Sequence, residues 1–228
     1  MRRTLDLNAD LGEEVTDDAA LLTVVTSANV ACGYHAGSPA IMRAVCAEAA
    51  ARGVSVGAQV SYADREGFGR VAHDVAHGVL REQVADQVGT LTEIAAAAGT
   101  TVRYLKPHGA LYHRVLDDAE QADAVLAGSG DLPVLGMPGV LLDAAAAAGR
   151  VVLLEGFPDR GYGPDGRLLP RGREGALVEG ADAVAAQAVR LAAAVASVCV
   201  HGDSPGAVAH AHAVRRALEA AGYELRGL

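Results

Sequence analysis

The chain of 228 residues contains no tryptophan, two phenylalanines (Phe68 and Phe157), two asparagines (Asn8 and Asn29) and a single lysine, Lys106. Cysteine is scarce as well. Cys32, Cys46 and Cys199 are an odd number without C-x-x-C spacing, which argues against a disulfide framework and against a zinc knuckle. No run of 18 apolar residues occurs, so no transmembrane helix is predicted, and Met1-Arg2-Arg3 leads straight into a strand-like segment, so a cytoplasmic protein is expected. The lone lysine is followed by proline, which excludes a P-loop, and there is no H-E-x-x-H. A net charge of −9 disfavours nucleic acid and anionic membranes as partners, because their phosphates repel it. These absences leave hydrolytic or group-transfer chemistry built from carboxylate, imidazole and ammonium.

What is abundant is alanine, at 48 positions, together with 18 arginines against the one lysine. On that background Lys106 marks a position that wants a compact, titratable ammonium and would not accept a planar guanidinium. Short apolar runs alternate with Ala-rich helical stretches from end to end without a linker, predicting a single domain over 1–228. Strands are expected at 5–9, 28–32, 54–60, 102–106, 133–137, 151–156 and 198–201. Helices are expected at 18–26, 39–52, 75–98, 118–127, 139–148, 181–196 and 205–221. Ser38-Pro39 and Ser204-Pro205 read as capped helix starts, and Gly53, Gly99, Gly149 and Gly222 as helix ends.

Strict alternation means parallel strands with helical crossovers, in either an open doubly wound sheet or a barrel. An open sheet gathers its ligand at one switch point, whereas a barrel presents all its strand ends at one mouth. Six of the seven strand ends carry polar clusters, the plain one being Gly136-Met137-Pro138-Gly139, so an irregular seven-stranded parallel β/α barrel is predicted. Period-two alternation sends Asp6, Asn8 and Asp10 inward and Leu5, Leu7, Ala9 and Leu11 toward the helices. The same parity joins Asn29 with His35, Lys106 with His108, and His201 with Asp203 at that mouth. Arg70 and Arg160 lie in glycine-bearing loops, where they either clamp an anion or tie down the loop. Helix N-termini after Gly37 and Gly202 offer N–H groups to an anion.

Plainer readings compete at several positions: Glu13 as a solvated turn residue, His35 as a loop hydrogen-bonder, Lys106-Pro107 as a stiff strand exit. His73, His77, His113, His210 and His212 lack an inward strand partner and read as surface or core histidines. Cys32 and Cys199 read as small buried thiols and not as nucleophiles.

The motifs D-L-N-A-D-L-G-E (Asp6 to Glu13), S-A-N-V-A-C-G-Y-H-A-G (Ser27 to Gly37), K-P-H-G-A-L-Y (Lys106 to Tyr112), D-R-G-Y (Asp159 to Tyr162), L-L-P-R (Leu168 to Arg171) and C-V-H-G-D (Cys199 to Asp203) closely resemble the LamB/YcsF family. The likeness runs nearly the whole length of the chain. It implies a distorted, TIM-like seven-stranded barrel of the glycoside hydrolase/deacetylase kind. It also implies one component of an ATP-dependent 5-oxoprolinase, a hydrolase that opens the lactam of 5-oxoproline (pyroglutamate) to L-glutamate with hydrolysis of ATP to ADP and phosphate. ATP, with Mg, is then the expected co-substrate, and the 5-oxoprolinase subunits B and C are the expected partners. In such a reaction Lys106 would face the transferred phosphoryl or the oxyanion, His108 or His35 would shuttle a proton, and Asp10 would orient water. The expected substrate-binding set is Asn8, Asn29, Gln59, Arg70, Arg160, His201 and Asp203, and Asp10 and His35 are the candidate ligands of a divalent ion.

Two departures from the family pattern stand out. The family reads G-A-H-P-S where this chain has Gly57-Ala58-Gln59-Val60-Ser61, so a neutral amide replaces an imidazole, and the segment before Cys199 is short. Two alternatives stand beside the oxoprolinase reading: a metal-dependent, deacetylase-like amide hydrolase that needs no ATP, using Asp10, His35 and a further His, and a catalytically impaired binding subunit.

Overall fold

The strand about which the chain closes is the first, β1 (Arg3–Leu11), in a computed structural model that describes residues 3–15, 17–203 and 206–228. β1 pairs in parallel with β2 (Ser27–Ala31) through Asn8–Leu11 and with β7 (Ser197–Val200) through Asp6–Ala9. Between those two neighbours run β3 (Ser55–Val60), β4 (Val102–Pro107), β5 (Val134–Gly136) and β6 (Val152–Gly156), all parallel, which closes a seven-stranded barrel. An eighth strand, β8 (Tyr223–Leu225), extends the start of β1 by pairing with Arg3–Leu5. The crossovers are α1 (Asp18–Leu22), α2 (Pro39–Arg52), α3 (His77–Ala97), α4 (Gly109–Arg114), α5 (Ala119–Gly128), α6 (Val140–Ala147), α7 (Ala181–Leu191) and α8 (Ala207–Ala220). Among the described residues no helix is long and apolar enough to cross a membrane.

The hydrophobic core lies between barrel and helices. Leu5, Leu7, Ala9 and Leu11 of β1 join Val56, Ala58 and Val60 of β3 and Val198 and Val200 of β7 in one buried cluster with α2, α3, α5 and α8. The alternate residues of the same strands are left to fill the barrel interior. Ser38 caps α2 as expected, its Oγ accepting from the Ile41 amide with Pro39 in the first turn; the Ser204-Pro205 start lies outside the described residues. Two helices are shorter than expected. The amides of Thr26 and Ala196 are claimed by the strand carbonyls of Leu7 and Leu154, at 2.7 and 2.8 Å, and a helix cannot continue through residues already committed to the sheet. The sequence reading missed α4 and β8 altogether.

Candidate functional site

Every barrel strand points the same way, so their C-terminal ends meet at one mouth. The interior beneath that mouth is layered. In the lowest layer Asp6 accepts from the hydroxyls of Ser27 (2.6 Å), Thr26 (2.7 Å) and Ser197. Burial pushes its carboxyl up to about 6, against the pull of those three hydroxyls. One layer up, Asn8 donates to Ser197 (2.6 Å) and Glu155 (3.1 Å), while Asn29 donates to Asn8 at 2.6 Å and accepts from the Tyr104 hydroxyl at 2.6 Å.

The top layer holds the lone lysine. Lys106 Nζ lies 2.9 Å from Asp10 Oδ1, 3.0 Å from Glu155 Oε1 and 3.2 Å from Cys199 Sγ, and is 2 % exposed. Burial alone would lower this amine, but Asp10, Cys199 and Glu155 together hold it well above its ordinary value. Asp10 in turn is raised by burial and then pulled below the usual carboxylate range by Lys106, and it also accepts from Asn29 at 2.8 Å. Burial raises Glu155 against the opposing pull of Lys106, and Tyr112 donates to its second oxygen at 3.2 Å. Ammonium and Asp10 carboxylate are therefore the ionised pair at the base of the mouth.

Beside this centre His35 and His108 stack with centroids 4.0 Å apart, both facing Glu13. Glu13 is buried, and Gln59 Nε2 donates to its Oε1 at 3.0 Å, so the solvated-turn reading of Glu13 does not hold. Burial, then the neighbouring His35, drives His108 well below the ordinary imidazole value. On the opposite wall His201 Nδ1 meets Asp159 at 2.9 Å, and Phe157 stacks on its ring at 5.1 Å. Burial works against the His201 cation but Asp159 outweighs it, so His201 is raised.

Around these groups lies a cavity of about 320 Å³. Asp10, Lys106 and His108 line its base, Phe157, His113 and His201 its walls, and Arg70, Arg160 and Arg171 its approaches. Asn8, Asn29, Gln59 and His35 are fully buried behind that lining and shape it through hydrogen bonds and packing. Asp203 pairs with Arg70 and stands 3.7 Å from Arg171, bridging two loops across the mouth. Arg160 ties down its loop: Nη2 donates to the Leu169 carbonyl at 2.6 Å and Nε to Ala176 at 3.2 Å. The Gly37 amide is already taken, by Glu14 at 3.1 Å.

Two expectations need correction. The carboxylate beside His35 is Glu13 and not Asp10, because Asp10 is turned to Lys106 and Asn29. His113 belongs to the cavity, carried there by the unforeseen α4. Cys199 is a buried thiol as expected, packed with Tyr112 and Phe157 and 3.2 Å from the ammonium. Glu155 and Asp159 were missed; the signal for Glu155 was a carboxylate one residue from the end of an otherwise apolar strand.

Fold and site together define a closed parallel β/α barrel with an acid–base centre at the C-terminal ends of its strands. The chain belongs to the LamB/YcsF family, whose model matches residues 5–228. It is 52% identical over 242 residues to the A subunit of 5-oxoprolinase from Streptomyces avermitilis, covering 96% of this chain and 97% of that protein. It is also similar to the crystal structure of a lactam utilization protein from Thermus thermophilus, with TM-score 0.92 and 34% identity over 99% of this chain and 100% of the other. A peptidoglycan N-acetylglucosamine deacetylase shares the fold at TM-score 0.55 and 11% identity, covering 100% of this chain and 86% of that one.

Proposed function

We propose that this chain is the lactam-handling component of an ATP-dependent 5-oxoprolinase, opening 5-oxoproline to L-glutamate with ATP, carrying Mg, as co-substrate and with B and C subunits as partners. The observation that carries this reading is the ionised Lys106–Asp10 pair at the base of a small cavity whose other charged lining groups are cationic. A compact lactam bearing one carboxylate suits that space, at the small end of ligand cavities, with its carboxylate toward Arg70 and Arg171 and its carbonyl oxygen toward Lys106. Lys106 stabilises negative charge on that oxygen, whether phosphoryl or oxyanion. Neutral His108 accepts the proton of the attacking water. Transfer of the γ-phosphoryl of ATP to the lactam oxygen releases ADP. After water adds, His201, held as a cation by Asp159, returns a proton to the lactam nitrogen as the C–N bond breaks and phosphate leaves. The products are the amine and carboxylate of glutamate with ADP and phosphate.

The test is reconstitution with the B and C subunits of the same genome. Glutamate and phosphate release that require 5-oxoproline and all three proteins support the reading. Equal glutamate formation without this chain would refute it.

A further inference from the structure

We propose that Glu13, His35 and His108 bind a divalent transition-metal ion next to the Lys106 centre. The donors come from three different elements, the turn after β1, the loop after β2 and the exit of β4, yet one ligand atom from each lies within 4.8 Å of the others and all three residues are buried. A second observation points to an occupant. Both ring nitrogens of His35 and Nδ1 of His108 are buried without a hydrogen-bond partner among the described residues, a state that folded proteins avoid unless something else fills the valence. Glu13 Oε1 stands 3.7 Å from His35 Nε2 and 3.5 Å from His108 Nε2, too far for good hydrogen bonds and spaced as atoms that share a neighbour.

Two imidazoles and one carboxylate form a donor set suited to zinc and its neighbours, and three protein ligands leave a position open. His108 lines the cavity, so that position faces the substrate space. Gln59 supplies the outer support, its amide fixing the Glu13 carboxylate at 3.0 Å while remaining outside the donor set. The two rings lie 17° from parallel, so convergence on one ion needs one ring to turn about its Cβ–Cγ bond, a soft torsion. The inference stands on side-chain geometry and not on the identity of the substrate, so it can fail while the oxoprolinase reading survives. Where it holds, His108 serves as a ligand, and the ion in place of this imidazole would supply the acidity of the attacking water.

The experiment uses the untagged full chain, stripped with a chelator, titrated with Zn²⁺ by calorimetry and analysed for zinc after dialysis. One zinc per chain is expected, with affinity lowered at least about 100-fold in His35→Ala and in Glu13→Gln, and about 10-fold in Gln59→Ala. His77→Ala, at a half-buried histidine paired with Asp123 away from the cluster, should change nothing. Less than about a tenth of an equivalent in the wild-type chain, or zinc bound equally by the wild type and both ligand variants, would overturn the proposal. The wild-type reading decides even where a variant fails to fold.

Discussion

At the scale of single residues, the geometry explains why one position kept a lysine in a chain otherwise committed to arginine. Asp10, Glu155 and Cys199 surround a point charge at 2.9–3.2 Å, a three-sided arrangement that suits a compact ammonium better than a planar fork. Lys106→Met leaves Asp10 charged, buried and unpaired, and should destabilise the fold by about 3–5 kcal/mol in denaturant titrations. Asp6 makes the opposite kind of contribution. Its folded pKa of about 6 lies above the unfolded value, so the folded state holds the proton longer, and stability falls as pH rises from about 4 to about 6, then stays level. The wild-type minus Asp6→Asn difference in unfolding free energy should show that fall, by at most about 3 kcal/mol; a difference independent of pH would contradict the assignment. His201 is raised by Asp159, so their pairing stabilises below the unfolded imidazole value and is lost as pH climbs through the folded one. Asp159→Asn should therefore move the alkaline limb of the kcat profile to lower pH.

At the scale of elements, two glycines let loops close over the histidines. A Cβ on Gly109 would collide with the Gly69 carbonyl, which accepts from the Ala110 amide at 2.8 Å, and Gly109 has φ +59°. Gly109→Ala should cost about 1–3 kcal/mol in stability and depress turnover more than a distant mutation of equal cost, by displacing His108. Most strands were legible as short apolar runs between Ala-rich helical stretches, and β1, with Asp6, Asn8 and Asp10 on one parity, announced a polar barrel interior. α4 was not legible: its six residues are too few to show a helical period, and Gly109 at its start reads as a breaker. β8 consists of three residues after a helix-ending glycine, and its strand character comes from pairing with β1. Gly161, Gly163 and Gly166 have the G-x-G-x-x-G spacing of a dinucleotide turn without its setting: Gly163 and Gly166 lie in the loop closed by the Tyr162–Leu168 bridge, and α7 begins only at Ala181. The clustering of Glu13 with His35 and His108 depended on turns after strands, where strand parity no longer applies.

At the scale of the whole molecule, a chain of net charge −9 surrounds a cavity approached by three arginines, so the cationic character is local and built by closure. A substrate carboxylate should therefore matter: calorimetry with 5-oxoproline and with its neutral carboxamide should give about 10–100-fold weaker binding for the carboxamide, the worth of a charge-assisted hydrogen bond. The central claim is that the compact ammonium of Lys106 acts on the lactam oxygen. It is tested most directly by glutamate formation in the complex reconstituted with Lys106→Arg. A fall in kcat of about 100-fold or more, with the variant folded and still assembled, is the expected result; turnover at the wild-type rate would contradict it.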